Sequence, residues 1–299
     1  MGSMERKVVG VFGATGFIGR ALSERLEAAG LEVVRFSRRA EPGQAGWRGS
    51  EGALDLSGLD AVVNLAGESV AQRWTAAVRE RLRESRVGLT ERIVDAIAAM
   101  PASGRPRSVL NASAVGYYGS RGDDELDEDE PAGDGCLTTL CVDWEAAAAR
   151  VEELGVRLVL LRTGIVLGAG GDAWDRLWRV FRFGGGGALG NGRQWMPWIH
   201  LEDELRAIEF LLAREDLAGP FNLAAPGSVR NREFTRTLAR QARRPAVFRV
   251  PGVALKVALG GFGEALLESA RVVPGRLVRE GFVFQFADLE SALAQLGGA

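Results

Sequence analysis

The chain reads as an α/β protein with a parallel sheet built from βαβ units, followed by a smaller lobe. Three observations predict this. Short β-branched runs alternate with helix-length amphipathic segments through the first half; glycines recur at three-residue spacing directly after the first run; and the alternation stops after Gly164, where Gly and Trp dominate.

Taken in order, "KVVGVF" (Lys7 to Phe12), "EVVRFS" (Glu32 to Ser37), "DAVVNLAG" (Asp60 to Gly67), "RSVLNAS" (Arg107 to Ser113) and "VRLVLLRTG" (Val156 to Gly164) are short, apolar and β-branched, as strands buried on both faces should be. Between them the 3.6-residue period predicts helices from about Phe17 to Ala29, Ala71 to Glu84 and Gly88 to Ala99, with a further helix over Thr138 to Arg150. The segment "GGGGALGNGRQWMPWIH" (Gly184 to His200) and the basic "RNREFTRTLARQARR" (Arg230 to Arg244) lack this alternation and read as a second lobe. "DDELDEDE" (Asp123 to Glu130) reads as a solvated acidic loop.

Composition narrows the function classes. With 37 Lys and Arg against 39 Asp and Glu in 299 residues, the chain lacks the net positive field that nucleic acid or an acidic membrane demands, so a small-molecule partner is expected, with no nucleic acid and no membrane. Cys136 and Cys141 match neither a disulfide framework nor a metal-ligand spacing. A reducing, cytoplasmic compartment and no metal follow as expectations. Nothing in the sequence has the length of a membrane span or the pattern of a signal peptide, and Met1-Gly2-Ser3 ahead of Met4 reads as a cloning remnant outside the fold. A homodimer is left open.

"VFGATGFIGRAL" carries Gly13, Gly16 and Gly19 between a strand and a helix. In that context the first glycine permits a tight turn, the second lets backbone approach a pyrophosphate, and the third lets helix and strand pack closely; the phosphates meet the free N–H groups of the helix start. A dinucleotide is therefore expected. At the end of the second strand, where an NAD site carries an acid for the ribose hydroxyls, the chain reads Ser37-Arg38-Arg39. Guanidinium groups suit the extra phosphate of NADP, so NADP(H) is the expected cofactor. "NLAG" (Asn64 to Gly67) ends the third long strand with small residues, and Asn64 reads equally as a ribose neighbour or a strand-end cap.

These landmarks, with Ser113 after a strand and "IHLED" (Ile199 to Asp203), resemble the extended short-chain dehydrogenase/reductase superfamily. More narrowly, "SAVGYYG", "LCVDWE", "LRTGIVLG", "WMPWIH" and "VVPGRLVREGFVFQF" look like its nucleotide-sugar "epimerase family" branch, which ends in a short domain of unknown function. The resemblance implies a Rossmann-type, doubly wound parallel sheet of about seven strands, with residues 4–166 mainly the NADP-binding domain. Residues 167–299 would be mainly the substrate lobe and C-terminal domain, some segments returning to the first. It further implies that Gly13, Thr15, Gly16, Phe17, Ile18 and Gly19 touch the diphosphate. Arg38, with Ser37 and Arg39, would meet the 2′-phosphate, Leu65, Ala66 and Gly67 the ribose, and Arg162, Thr163 and Val166 the nicotinamide.

In that superfamily a Ser binds the reacting oxygen, a Tyr transfers the proton and a Lys four residues on supports it. Here Ser113 stands, but Cys141 and Glu145 occupy the Tyr and Lys places. Both would share one helical face, yet a carboxylate there opposes thiolate formation, so Cys141 is a poor nucleophile while Glu145 can still accept ribose hydrogen bonds. Tyr117 and Tyr118, just after Ser113, read either as alternative proton donors or as residues that pack the loop or stack on substrate. His200 reads as structural, ahead of a helix capped by Asp203. Gln194, Trp195 and Trp198 read equally as a lid over a sugar-like or carbonyl-containing substrate and as a hydrophobic lobe interface. The expected protein is an NADP(H)-binding oxidoreductase or epimerase-like enzyme with a non-standard proton relay; a catalytically silent NADP(H) sensor is the rival.

Overall fold

In the computed structural model, which describes residues 7–38 and 44–297, seven strands form one sheet. They are β1 (Val8–Phe12), β2 (Glu32–Ser37), β3 (Trp47–Gly49), β4 (Ala61–Asn64), β5 (Ser108–Ala114), β6 (Arg157–Thr163) and β7 (Gly219–Leu223). The order across the sheet is β7-β6-β5-β4-β1-β2-β3, all neighbours parallel. The chain starts centrally, runs to one edge, then crosses back and builds out to the other. That reversal opens a crevice at the carboxyl ends of β1 and β4, where Gly13 and Leu65 begin their loops.

Strand alternation explains why both faces are covered. Val9, Val11, Val33, Val63, Leu110, Val159 and Leu161 face one layer with Leu22 and Leu26 of α1 (Phe17–Ala28), while Val34, Phe36, Val62, Val109, Leu158 and Leu160 face the other. The second layer receives Ile93 and Ile97 of α3 (Leu89–Ala99), which continues α2 (Ala76–Arg83) through a π-helical turn at Glu84–Gly88. The two helices expected there are thus one interrupted rod. α4 (Cys136–Ala149) packs beside α3. Both edge strands, β3 and β7, are additions to the five that the sequence pattern predicts.

The longer helices that follow are α5 (Asp172–Arg182), α6 (Leu201–Ala213), α7 (Asn231–Gln241), α8 (Gly252–Leu259) and α9 (Leu289–Gly297), with single short turns of helix at Gly261–Ala265 and Gly275–Arg279. α6 returns to the sheet, where Ile208 and Leu211 join the α1 layer. α5, α7 and α9 enclose a separate core around Trp174, Trp198, Phe234, Leu238 and Leu293. His200, not Asp203, caps α6: its Nδ1 accepts from the Glu202 amide (3.1 Å), while Nε2 meets Gln295 Oε1 (3.1 Å). Asp203 lies deeper, and its two oxygens accept the Gln285 and Phe286 amides (each 2.8 Å), tying the C-terminal segment to α6. No helix among the described residues is long and apolar enough to cross a membrane.

Beside Asp203, Glu204 is fully buried; Thr163 donates to its Oε1 (3.0 Å), and its Oε2 has no partner among the described residues. Burial pushes its carboxyl from 4.5 up to about 8. The native state therefore holds a proton here that the unfolded chain releases above pH 4.5, so stability falls as pH rises through this window and levels off above about 8. Replacing Glu204 with Gln should flatten that slope in urea melts taken from pH 5 to 9, a gain on the order of a few kcal/mol at the alkaline end. An unchanged slope would show that Glu204 is not the group responsible.

Candidate cofactor and active site

The turn after β1 is built for close approach. Gly13 has φ +78°, and a Cβ there would meet the Leu65–Ala66 backbone at 2.9 Å; one on Gly19 would lie 2.2 Å from the Gly13 carbonyl oxygen. Gly16 precedes α1 in extended conformation without a side-chain cap, which leaves the first amides of the helix, at Phe17, Ile18 and Gly19, free to receive an anion. Ser37 ends β2 and Arg38 follows it, exposed. Arg35 is occupied by Glu27 (2.7 Å), whereas Arg38 has no carboxylate within ion-pair distance among the described residues. Arg39 lies outside the described residues.

Across the crevice, Asn64 is fully buried. Its Nδ2 donates to Asn111 Oδ1 (2.7 Å) and Thr90 Oγ1 (3.0 Å), and its Oδ1 accepts the Ala66 amide (3.3 Å). Asn64 is thus an interior clamp that shapes the Leu65-Ala66-Gly67 backbone. Gly67 is small for a reason the sequence did not reveal: a Cβ would sit 3.0 Å from the Arg86 guanidinium carbon. Arg86 comes from the π-helical turn, donates to the Glu68 carbonyl (2.9 Å) and lies over Trp144.

Beneath the β5 and β6 ends, Glu145 of α4 meets Arg162 of β6 in a bidentate pair, Nε to Oε1 and Nη2 to Oε2, both 2.9 Å. Ser113 donates its hydroxyl proton to the same Oε1 (2.6 Å). All three are buried. Burial works against the Arg162 charge, but Glu145 and the Tyr118 oxygen outweigh it and hold the guanidinium above its usual range. The Arg162 fork is filled by Glu145, and Nη1 donates to Tyr118 Oη (3.0 Å), which leaves only its strand-end backbone for the nicotinamide side. Glu145 is likewise engaged by protein rather than by ribose.

The two tyrosines divide. Tyr118 is fully buried and donates to Asn222 Oδ1 (2.7 Å) of β7, and burial pushes its phenol up to about 12 despite Arg162. That corrects the expectation of Tyr118 as a proton donor. Tyr117 is only partly buried, edge-on to Tyr118, and carries the Arg162 guanidinium 3.5 Å from its ring centroid. Its hydroxyl has no protein hydrogen-bond partner among the described residues. Cys141, expected to be a poor nucleophile, is buried, and burial, then Glu145, pushes its thiol up to about 12, so it takes no part in proton transfer. Ser113 keeps its place, but with its proton committed to Glu145 its oxygen is an acceptor rather than a donor.

Thr163 donates to Glu204, and Val166 lies in a short strand paired with Ile199. Of the three lid residues, Trp198 is buried in the second core with Nε1 donating to the Gly227 carbonyl (3.0 Å). Gln194 is buried too and donates to the Leu189 and Leu266 carbonyls (3.2 and 3.3 Å). Neither can act as a lid, because both hold the lobe together. Trp195 retains exposed surface, with Arg230 and Arg271 over its ring at 4.6 and 5.0 Å. Sequence reasoning also missed Glu128: from the acidic loop it accepts the Asn222 and Arg276 amides (2.9 and 3.0 Å). A cleft of about 950 Å³ between α7 and Asp288–Glu290 is lined by none of the expected site residues.

The family model for the "NAD dependent epimerase/dehydratase family" matches residues 9–224. The chain belongs to that family. A second model, a domain of unknown function, matches residues 250–296. An epimerase family protein of Mycobacterium tuberculosis is 42% identical over 297 residues, covering 97% of each chain. The human epimerase family protein SDR39U1 is 36% identical over 291 residues, covering 96% of this chain and 98% of its own. The crystal structure of its isoform 2 with NADPH superposes with a TM-score of 0.88 at 33% identity, over 97% and 99% of the two chains. A nucleoside-diphosphate sugar epimerase from Corynebacterium glutamicum gives 0.80 at 31% identity, over 97% of this chain and 58% of that one. Family membership thus accounts for the Rossmann sheet and the glycine turn.

The Glu145–Arg162 pair can be tested as a unit. Arg162→Met should cost about 3–5 kcal/mol in urea melts, because it strands a buried carboxylate, and Glu145→Met with Arg162→Met should cost less than Arg162→Met alone. A double variant as unstable as the sum of the singles would rule out direct coupling.

Proposed function

We propose that this chain is an NADP(H)-dependent oxidoreductase of the epimerase type, acting on a carbonyl-containing or sugar-like small molecule, with Tyr117 as the proton-transfer group. The observation that carries this reading is the Arg162 guanidinium over the Tyr117 ring, 3.5 Å from its centroid. In the superfamily a lysine four residues along the helix gives the reacting phenol its positive neighbour; here the charge comes from the adjoining strand. Glu145 fixes that guanidinium in orientation, and Ser113 in turn fixes Glu145.

The cofactor fits the free amides at the start of α1 and the exposed Arg38, and the NADPH named with human SDR39U1 supports the same choice. Gly13, Thr15, Gly16, Phe17, Ile18 and Gly19 would hold its diphosphate, Ser37 and Arg38 its 2′-phosphate, Leu65 to Gly67 its ribose, and Thr163 and Val166 its nicotinamide side. When bound, it supplies hydride transfer. Tyr117 would give its proton to, or take one from, the substrate oxygen. The two thiols, Cys136 exposed and Cys141 buried, are both free, which supports a reducing cytoplasmic setting.

One observation favours the silent-sensor reading instead: Ser113 has spent its donor on Glu145 and no Tyr-Lys pair exists. The two readings separate experimentally. Calorimetry should give tighter binding of NADPH than NADH, and Arg38→Ala should erase most of that preference; equal binding of both by the parent chain would defeat the NADP assignment. On a panel of carbonyl compounds and nucleotide sugars, NADPH oxidation should appear and fall about 10²–10⁴-fold in Tyr117→Phe with NADPH affinity retained. NADPH binding without turnover on any member would favour the sensor.

A further inference from the structure

The balanced net charge conceals a local asymmetry. Residues 176–201 contain Arg176, Arg179, Arg182 and Arg193 and no acid; residues 234–263 contain Arg236, Arg240, Arg243, Arg244, Arg249 and Lys256 and no acid. The fold joins these stretches. Arg244 Nε donates to the Arg182 carbonyl (3.0 Å), and a short strand at Phe248–Val250 pairs in parallel with Gly187–Leu189. Among the described residues, Arg179, Arg182, Arg243, Arg244 and Arg249 have no carboxylate within ion-pair distance, whereas Lys256 meets Glu264 at 3.5 Å.

The same two stretches carry most of the large apolar side chains left in water: Phe183 at 86% exposure, Val247 at 74%, Phe248 at 59%, Val253 at 74% and Val257 at 69%. Val253 and Val257 stand one turn apart on α8, "GVALKVAL", in which only Leu255 is buried. A surface helix normally turns polar groups outward; this one is apolar on its outer face as well. None of these five residues lines the cleft beside α7. A second copy of the chain laid on this face would set cation against cation.

We infer that this face, formed by the end of α5, the Phe248–Val250 strand and α8, docks peripherally on an anionic lipid surface. Phe183, Val247, Phe248, Val253 and Val257 would enter the headgroup boundary, while the unpaired arginines meet lipid phosphates. The sequence expectation of no membrane partner rested on net charge, and two acid-free stretches within a chain of formal charge −2 escape that measure. Docking here is independent of the reaction proposed above, since no residue of that site belongs to the face.

The test is sedimentation of the full chain with vesicles of phosphatidylcholine alone or of equal parts phosphatidylcholine and phosphatidylglycerol. Binding to the anionic vesicles only, weakened by added salt, is expected. Phe183→Ser with Phe248→Ser, and separately Arg179→Glu with Arg249→Glu, should each weaken partitioning at least about tenfold while leaving the thermal melt unchanged, since all four side chains lie outside the cores. Should either pair lower the melt, Val253→Asn with Val257→Asn replaces it. Failure to bind anionic vesicles at low salt, binding indifferent to all these variants, or capture of an acidic protein by this face without vesicle binding would each overturn the inference.

Discussion

A carboxylate and a guanidinium can leave water together only if each completes the other, and the site is organised around one such pair. Glu145 and Arg162 meet through two parallel hydrogen bonds between helix and sheet, and neither has enough remaining contact with water to stand alone. From this pair the polar interior extends in both directions. Ser113 attaches to the carboxylate and Tyr118 to the guanidinium; Asn222 accepts the Tyr118 hydroxyl hydrogen bond, and Glu128 accepts from the Asn222 backbone amide. Strands β5, β6 and β7 and helix α4 are thereby fixed relative to one another by polar contacts as well as by apolar packing. Tyr117 inherits its position because Arg162 cannot move.

The network also explains how the C-terminal segment is attached. Glu128 accepts the Arg276 amide with its second oxygen, Asn222 donates to the Val273 carbonyl, and Asp203 gathers the amides at 285 and 286. Buried carboxylates that accept backbone N–H groups staple irregular chain to the sheet, and Asp203 is held in addition by Arg206 (2.8 Å). The segment matched by the domain of unknown function is therefore continuous with the sheet's edge rather than suspended from it.

Much of the fold was legible because its determinants are local. Strands such as "VVGVF" and "RLVLLRT" are buried on both faces and announce themselves as apolar runs, and the glycine spacing marks the first turn with its function. β3 and β7 escaped notice for opposite reasons: Trp47–Gly49 is too short to show a period, and "GPFNL" begins with residues that read as a turn. In the site, the loss of the Tyr-Lys pair was visible, but its compensation was not. Arg162 lies seventeen positions from Glu145 on a different element, and no spacing rule joins a helix to the strand after it. Trp198 and Gln194 misled because a Gly-rich, aromatic segment looks the same whether it covers a ligand or fills a lobe. His200 was read correctly as structural, though the cap was assigned to Asp203.

The arrangement around Arg162 also bears on how such a site can change over time. Restoring the superfamily's helix pair in one step would bring a lysine ammonium against a guanidinium in a dry interior, and a phenol into the volume that Cys141 now fills completely. Each intermediate on that path would be worse than either end. A glutamate on the helix matched by an arginine on the next strand acts as a ratchet: a change of either partner alone strands the other charge in a dry interior, so the pair changes together or stays.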